Sequence, residues 1–133
     1  LNTCQCAAPP RDAGAREMRM AAAFVLDRAS ILERLGGDEE IYAMMVDMFV
    51  ADVENNCTAL ATALAAGDVE SLKRAAHTVK GLLATFSDDD GAVEANFVEK
   101  NAREDELANL GPAVADIQSR LREVSAVLSA GQA

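Results

Sequence analysis

Apolar residues recur along most of this chain at steps of three and four. Val69, Leu72, Ala76, Val79, Leu83 and Phe86 make one such series, and Val114, Ile117, Leu121, Val124 and Leu128 make another. A period near 3.6 places each series on one side of an α-helix, and each stripe needs a partner surface. Ile41, Met45, Met48, Val53, Leu60 and Leu64 form a looser stripe, and Val93, Phe97, Val98, Ala102 and Leu107 the weakest one. Alternating β-branched runs are scarce, so strands are not expected.

The breaks between stripes are few. No proline lies between Pro10 and Pro112, and Gly36, Gly37, Gly67, Gly91 and Gly111 separate helix-length blocks. Asp27 predicts the cap of a short helix that reaches Leu35 and stops at Gly36-Gly37. Asp38 caps the next, with Glu39 and Glu40 in the first turn, where the helix dipole favours acids; this helix runs to about Ala66. Asp68 caps a third, running to about Phe86. In Asp88-Asp89-Asp90-Gly91 the last aspartates offer the cap of a fourth helix over about 92–109. Gly111 ends it, and Pro112 suits the first turn of a fifth, which reaches about Ala130. Short connections between long amphipathic helices predict an all-α, antiparallel up-down-up-down four-helix bundle with a short additional N-terminal helix. Residues 1–20 show no sustained apolar period and read as a tail or linker, partly disordered or helical, with a short helix from about Ala15 into Ala21–Ala23. Residues 21–133 read as the bundle domain.

Composition adds exclusions. A chain of 133 residues, half of them hydrophobic, suits one folded domain. Twenty-two acidic residues against 12 basic give a net charge of −10, the wrong sign for a nucleic-acid binder or for anionic lipid. No nucleic-acid partner and no membrane contact are expected. There is no apolar run long enough to span a bilayer and no signal peptide pattern. Cys4, Cys6 and Cys57 cannot close a disulfide framework, and one distant histidine does not complete a zinc set, so no metal site is expected. Reduced thiols fit a cytoplasmic protein. The chain begins with Leu1 rather than Met, as expected of a piece cut from a longer protein.

The only histidine, His77, lies on the third helix, on the face opposite the apolar stripe. Lys73, Lys80, Gly81 and Ala84 fall within about 60° of it, with Arg74 at the margin. Residues 71–87 hold three basic residues and no acid, whereas the rest of the chain after residue 20 holds six basic and 20 acidic ones. A cationic strip in an acidic protein suits an anion the size of a phosphoryl group. Its positive charge disfavours imidazolium, which leaves a neutral ring with a nucleophilic lone pair. Gly81 is the lone glycine inside a predicted helix, where it costs about 1 kcal/mol relative to alanine. With Ala84 it leaves room for something to approach the imidazole. Helix packing is the alternative for these small residues, and an ordinary surface position is the alternative for His77.

Residues 75–86, Ala-Ala-His-Thr-Val-Lys-Gly-Leu-Leu-Ala-Thr-Phe, resemble the signature of histidine-containing phosphotransfer (HPt) domains, His-x-hydrophobic-Lys-Gly on the second long helix of a four-helix bundle. Leu35-Gly36-Gly37-Asp38-Glu39-Glu40-Ile41-Tyr42 is similar to that family's entry into its first long helix, and Ala65-Ala66-Gly67-Asp68 to the approach to the histidine helix. Val98, Glu99, Ala102 and Arg103 fall where the family often has a Leu-Glu-x-x-Ala-Arg run. The resemblance covers about residues 24–130.

It implies that His77 accepts a phosphoryl group from the phospho-aspartate of a response-regulator receiver domain and passes it to another. Lys80 would stabilise the phosphoryl group. Gly81, Ala84, Lys73 and Arg74 would lie where the partner approaches. The domain would be a monomer and a carrier rather than an enzyme. It would bind no cofactor itself, with Mg²⁺ supplied by the receiver, and could be covalently linked to a sensor histidine kinase as part of a hybrid kinase. Two other readings stand beside this: a helical protein-interaction module that carries no phosphate, and the phosphotransfer domain of a chemotaxis-type kinase, of which Ala84-Thr85-Phe86 is reminiscent. Three features depart from the family pattern: Leu82-Leu83 where small or hydroxyl residues often follow Lys-Gly, Ser87 where glycine is common, and the acidic turn 88–90. That turn reads either as a solvated cap or as an element that repels wrong partners. The Met-rich block 41–49 reads as core and end-cap packing in preference to a binding groove.

Overall fold

The computed structural model describes residues 22–132. Five α-helices and one short 3₁₀ turn make up its regular structure, and no strand occurs among the described residues. The tail predicted for residues 1–20 lies outside them. The helix expected to run into Ala23 does not reach Ala22 or Ala23, which lead into the bundle as non-helical chain.

Aspartates start four of the helices. Asp27 accepts from the Ser30 amide at the head of α1 (Arg28–Arg34), and Asp38 from the Glu40 and Ile41 amides at the head of α2 (Glu39–Ala66). Asp68 accepts from the Ser71 amide to start α3 (Val69–Thr85), and Asp88 from the Gly91 amide to start α4 (Asp89–Asn101). Each cap satisfies an amide that the first helical turn leaves without a partner. The last long helix, α5, spans Gly111–Gln132.

Turns of two or three residues reverse the chain from α2 to α3 and from α3 to α4, which makes these neighbours antiparallel. α2 packs on α3 and α5, α3 on α4, and α4 on α5, closing a ring of four helices around one core. Leu72, Ala76, Val79 and Leu83 of α3 and Val114, Ile117, Leu121, Val124 and Leu128 of α5 are buried there, as their spacing predicts. Phe49 and Phe86 meet edge to face with centroids 5.3 Å apart, a favoured aromatic geometry.

The weaker stripes need correction. On α2 the buried positions are Tyr42, Val46, Phe49, Cys57, Leu60 and Ala63. Ile41, Met44 and Met48 are exposed, so this part of the Met-rich block is surface rather than core. α2 is apolar on more than one face: of the stripe read from spacing, Leu60 is buried and Met45, Val53 and Leu64 pack partly buried against the core, while Ile41 and Met48 face out. On α4, Val93 is exposed while Glu94, Ala95 and Val98 are buried. That helix also ends at Asn101 instead of continuing to 109. Arg103-Glu104-Asp105-Glu106 offers it no apolar residue to bury, and the chain crosses to α5 through a 3₁₀ turn at Leu107–Asn109. Gly111 opens α5 rather than closing α4.

The α3–α4 turn departs from expectation as well. The cap is the first aspartate of the triplet, Asp88, and it is buried, not solvated. Ser87 takes a left-handed conformation, φ +63°, which costs a non-glycine residue about 1–2 kcal/mol. Glycine's freedom at such a φ is the physical reason for glycine to be common there. Here the Arg34 guanidinium holds the turn, donating to the carbonyls of Ala84 and Thr85 at 3.2 Å each and to the Ser87 hydroxyl.

Candidate functional site

The α3 stripe turns Ala76 and Val79 into the core and so turns His77 out to solvent. Its side chain is 67% exposed, and one ring nitrogen is engaged: Nδ1 lies 3.1 Å from Glu99 Oε2 on α4. An ionised carboxylate only accepts hydrogen bonds, so Nδ1 is the donor of this pair, and in the neutral ring Nε2 is the nitrogen left with a free lone pair. The other Glu99 oxygen pairs with Lys80 Nζ at 2.7 Å. Lys80 also donates to Asn96 Oδ1 at 3.3 Å. Glu99 thus bridges histidine and lysine, and Asn96 steadies the lysine one turn earlier on α4. The bond from Lys80, then that from His77, outweigh partial burial and hold the Glu99 carboxyl below its usual range.

The strip that is acid-free along the chain is therefore not acid-free in space. Glu99 enters it from the neighbouring helix and offsets the cationic field expected around His77. Of the residues singled out from sequence, His77 and Lys80 are brought together by this carboxylate. Gly81 is exposed, and a Cβ built there would meet nothing within 4 Å; half-buried Ala84 adds another small residue on the same face. Lys73 and Arg74 make no hydrogen bond or ion pair with His77. Arg74 instead adds to the field that keeps the Asp68 carboxyl below its usual range, after the larger effect of the Ser71 hydrogen bonds.

Two grooves flank the α2–α3 seam. A larger open one, about 400 Å³, is lined by Asn56, Ala59, Ser71, Arg74, Ala75 and Thr78 among others. A smaller apolar one, about 100 Å³, lies between Met45, Met48, Phe49 and Asp52 of α2 and Leu82, Thr85 and Phe86 at the end of α3. With exposed Ile41, Met44 and Met48 it makes an apolar surface on the Gly81 side of the histidine. Spacing missed this surface, although Leu82 after Lys-Gly was its visible signal. Asn96 carried no signal, and Glu99 only its place in the Leu-Glu-x-x-Ala-Arg-like run.

The family model for the Hpt domain matches residues 44–127, which include α3, α4 and the whole histidine site. The chain belongs to the Hpt family. The crystal structure of histidine-containing phosphotransfer protein B (HptB) from Pseudomonas aeruginosa PAO1 is similar to it, with a TM-score of 0.61 and 30% sequence identity over 80% of this chain and 90% of that one. No curated protein matches the chain. Hpt proteins are histidine phosphotransfer carriers of phosphorelays, carriers rather than enzymes, and their partners are in general response regulators. This Hpt domain has no helix long and apolar enough to cross a membrane among its described residues.

Proposed function

We propose that His77 is the residue that carries the phosphoryl group, taking it from the phospho-aspartate of one receiver domain and giving it to another. One observation carries this reading: the single histidine of an Hpt chain is exposed, with Nδ1 tied to Glu99 and Nε2 held by no contact of this kind among the described residues. In the transfer, the Nε2 lone pair attacks phosphorus in line. The N–P bond forms, the P–O bond to the aspartate breaks, and the carboxylate leaves with the electron pair. The Nδ1 proton stays on the Glu99 hydrogen bond, where the carboxylate balances the positive charge that develops on the ring. Lys80 stands ready to face the phosphoryl oxygens, and Lys73 and Arg74 add positive charge on the same side.

The donor set at His77 does not make a Mg²⁺ site. Mg²⁺ takes six oxygens in octahedral geometry, and the one carboxylate here is already held by a lysine and the imidazole. We place the ion on the receiver. Gly81 and Ala84 leave the space through which the receiver's active site reaches Nε2, and the apolar surface of Ile41, Met44, Met48 and Leu82 supports docking beside it. The setting we propose is cytoplasmic, within or beside a hybrid sensor kinase, where phospho-receivers are generated.

The test is phosphotransfer from phosphorylated receivers, with Mg²⁺, to the parent and to His77→Gln. Acid-labile, alkali-stable label on the parent alone supports the reading. No label on a folded, helical parent from any receiver overturns it in favour of an interaction module.

A further inference from the structure

Both residues that order the histidine site from the side, Asn96 and Glu99, sit on α4, the shortest helix of the four-helix ring at 13 residues. Its C-terminal end is finished locally: the Asn101 side-chain amide donates to the Phe97 carbonyl at 2.8 Å, buried Ala102 leaves the helix in an extended conformation, and Arg103, Glu104 and Asp105 are exposed. Its N-terminal end is tightly held. Asp88, the α4 cap, is buried, and Arg120 of α5 grips it twice, Nε to Oδ2 at 2.8 Å and Nη2 to Oδ1 at 2.9 Å. Their side chains are only 3% and 2% exposed. An apolar pair of similar size would often be as stable as such a buried ion pair. What the bidentate arrangement adds is fixed geometry.

The third side of the guanidinium holds the chain that leads into the bundle. Arg120 Nη1 donates to the Ala22 carbonyl at 2.6 Å, and the Phe24 amide donates to Glu123 Oε2 at 2.7 Å. Glu123 Oε1 lies 3.4 Å from Arg120 Nη1. Phe24 is buried, and Leu26 reaches Gly131, so residues 22–26 form a strap laid along α5. One side chain thereby joins strap, α5 and the α4 cap.

We propose that Arg120 is a positioning residue for His77. Its grip on Asp88, with the strap seated on the same guanidinium, sets the register of α4 and so delivers Glu99 to Nδ1, eleven residues and about 16 Å down the helix. The consequence for phosphotransfer rests on the carrier reading; the geometric link does not.

The test uses the whole chain and reads the ring ¹⁵N shifts of His77 at neutral pH. The parent shows a protonated Nδ1 and a free Nε2. Arg120→Lys keeps the charge but loses the bidentate grip. The two ring shifts then move toward each other as tautomers interconvert, with helical content retained. Phosphoryl uptake falls roughly tenfold, short of the hundredfold that a 1 Å misplacement can cost. Glu123→Ala, at a half-exposed position, frees the strap and moves the shifts in the same direction by less. Cys57→Ala, buried between α2 and α5, lowers the melting temperature without moving them. Parental ring shifts in an Arg120→Lys protein of reduced stability overturn the proposal. If that variant does not fold, parental shifts in Glu123→Ala, with the Phe24 amide exchanging freely, overturn it. A parent with the fixed tautomer that accepts no phosphoryl group refutes the carrier reading instead and leaves this link standing.

Discussion

Two glycines in neighbouring helices of this Hpt domain give opposite outcomes for the same substitution. At Gly81, one turn before the end of α3, an added Cβ meets nothing within 4 Å. Alanine there removes the backbone-entropy cost of a helical glycine and stabilises the fold by about 1 kcal/mol. That raises the melting temperature by roughly 4 °C for a domain of this size. At Gly91, in the first turn of α4, the same Cβ overlaps the Asp88 carboxylate and lies 3.0 Å from Leu83 Cδ1. The carboxylate cannot swing aside without leaving Arg120. Losing a buried pair costs about 3–5 kcal/mol, and better helix propensity returns less than 1 kcal/mol of it. Gly91→Ala is therefore destabilised by about 2–4 kcal/mol. Urea titration of the three proteins measures both differences. Phosphotransfer then separates fold from function: Gly81→Ala and Gly81→Gln, though more stable, accept phosphate from a receiver more slowly, and the loss grows with side-chain size. A Gly81→Gln protein that accepts phosphate at the parental rate would refute the idea that a partner occupies this space. A Gly81→Ala protein that loses stability would instead refute the open space around that position.

Three further outcomes follow from local geometry. At Ser87 the order of stability is Gly at least equal to Ser, then Ala, then Val: glycine relieves the positive φ, alanine loses the hydroxyl held by Arg34, and a β-branched residue suffers most. Thermal melts in which Val equals Ser would contradict the left-handed turn. Burial, opposed in part by the Arg122 charge, pushes the Cys57 thiol up, so at pH 8 a thiol reagent labels Cys57 only when the protein unfolds, as peptide mass mapping can show. Because Glu99 is held below its ordinary value of 4.5, its contribution is complete above that value and is lost as pH falls through the lower folded one. Carboxyl ¹³C NMR therefore finds Glu99 titrating below 4.5; a midpoint at or above it would break the Lys80–Glu99–His77 bridge as described.

Where one force dominated, the chain was readable. α3 and α5 bury a single narrow stripe each, and a cap or glycine marks most of the turns, so periodicity and punctuation agree with the structure. α2 was harder because Met44, Met45, Met48 and Val50 make it apolar well beyond its core face. Only packing against α3 and α5 decides that Tyr42, Val46 and Phe49 go inside. The aspartate triplet was misread because burial of Asp88 depends on Arg120, a partner 32 residues away. The site shows the same division. His77, Lys80 and Gly81 share one helix face and were visible together. Glu99 and Asn96 reach them from α4, a helix with the weakest pattern in the chain, and no spacing rule locates a contact across 22 residues.

This cross-helix carboxylate alters how an acidic protein can host a phosphoryl group. A purely cationic strip would attract phosphate but leave the imidazole free to protonate on either nitrogen. Glu99 fixes the proton on Nδ1, at the expense of part of the positive field, and Lys80 offsets that expense by sitting 2.7 Å from the same carboxylate. On the proposed carrier reading, phosphorylation of Nε2 would set Lys80 between two anions: Glu99 on α4 and the new phosphoryl oxygens. Its long flexible stem would let the ammonium serve either, with Glu99 still paired with Nδ1–H. On the same reading Lys73 and Arg74, which do not pair with Glu99, would add positive charge toward an incoming acyl phosphate. On the proposed carrier reading, the proton, the phosphate and the partner would be served by different residues: Glu99 for the first, Lys80 for the second, and the open space at Gly81 with its apolar border for the third.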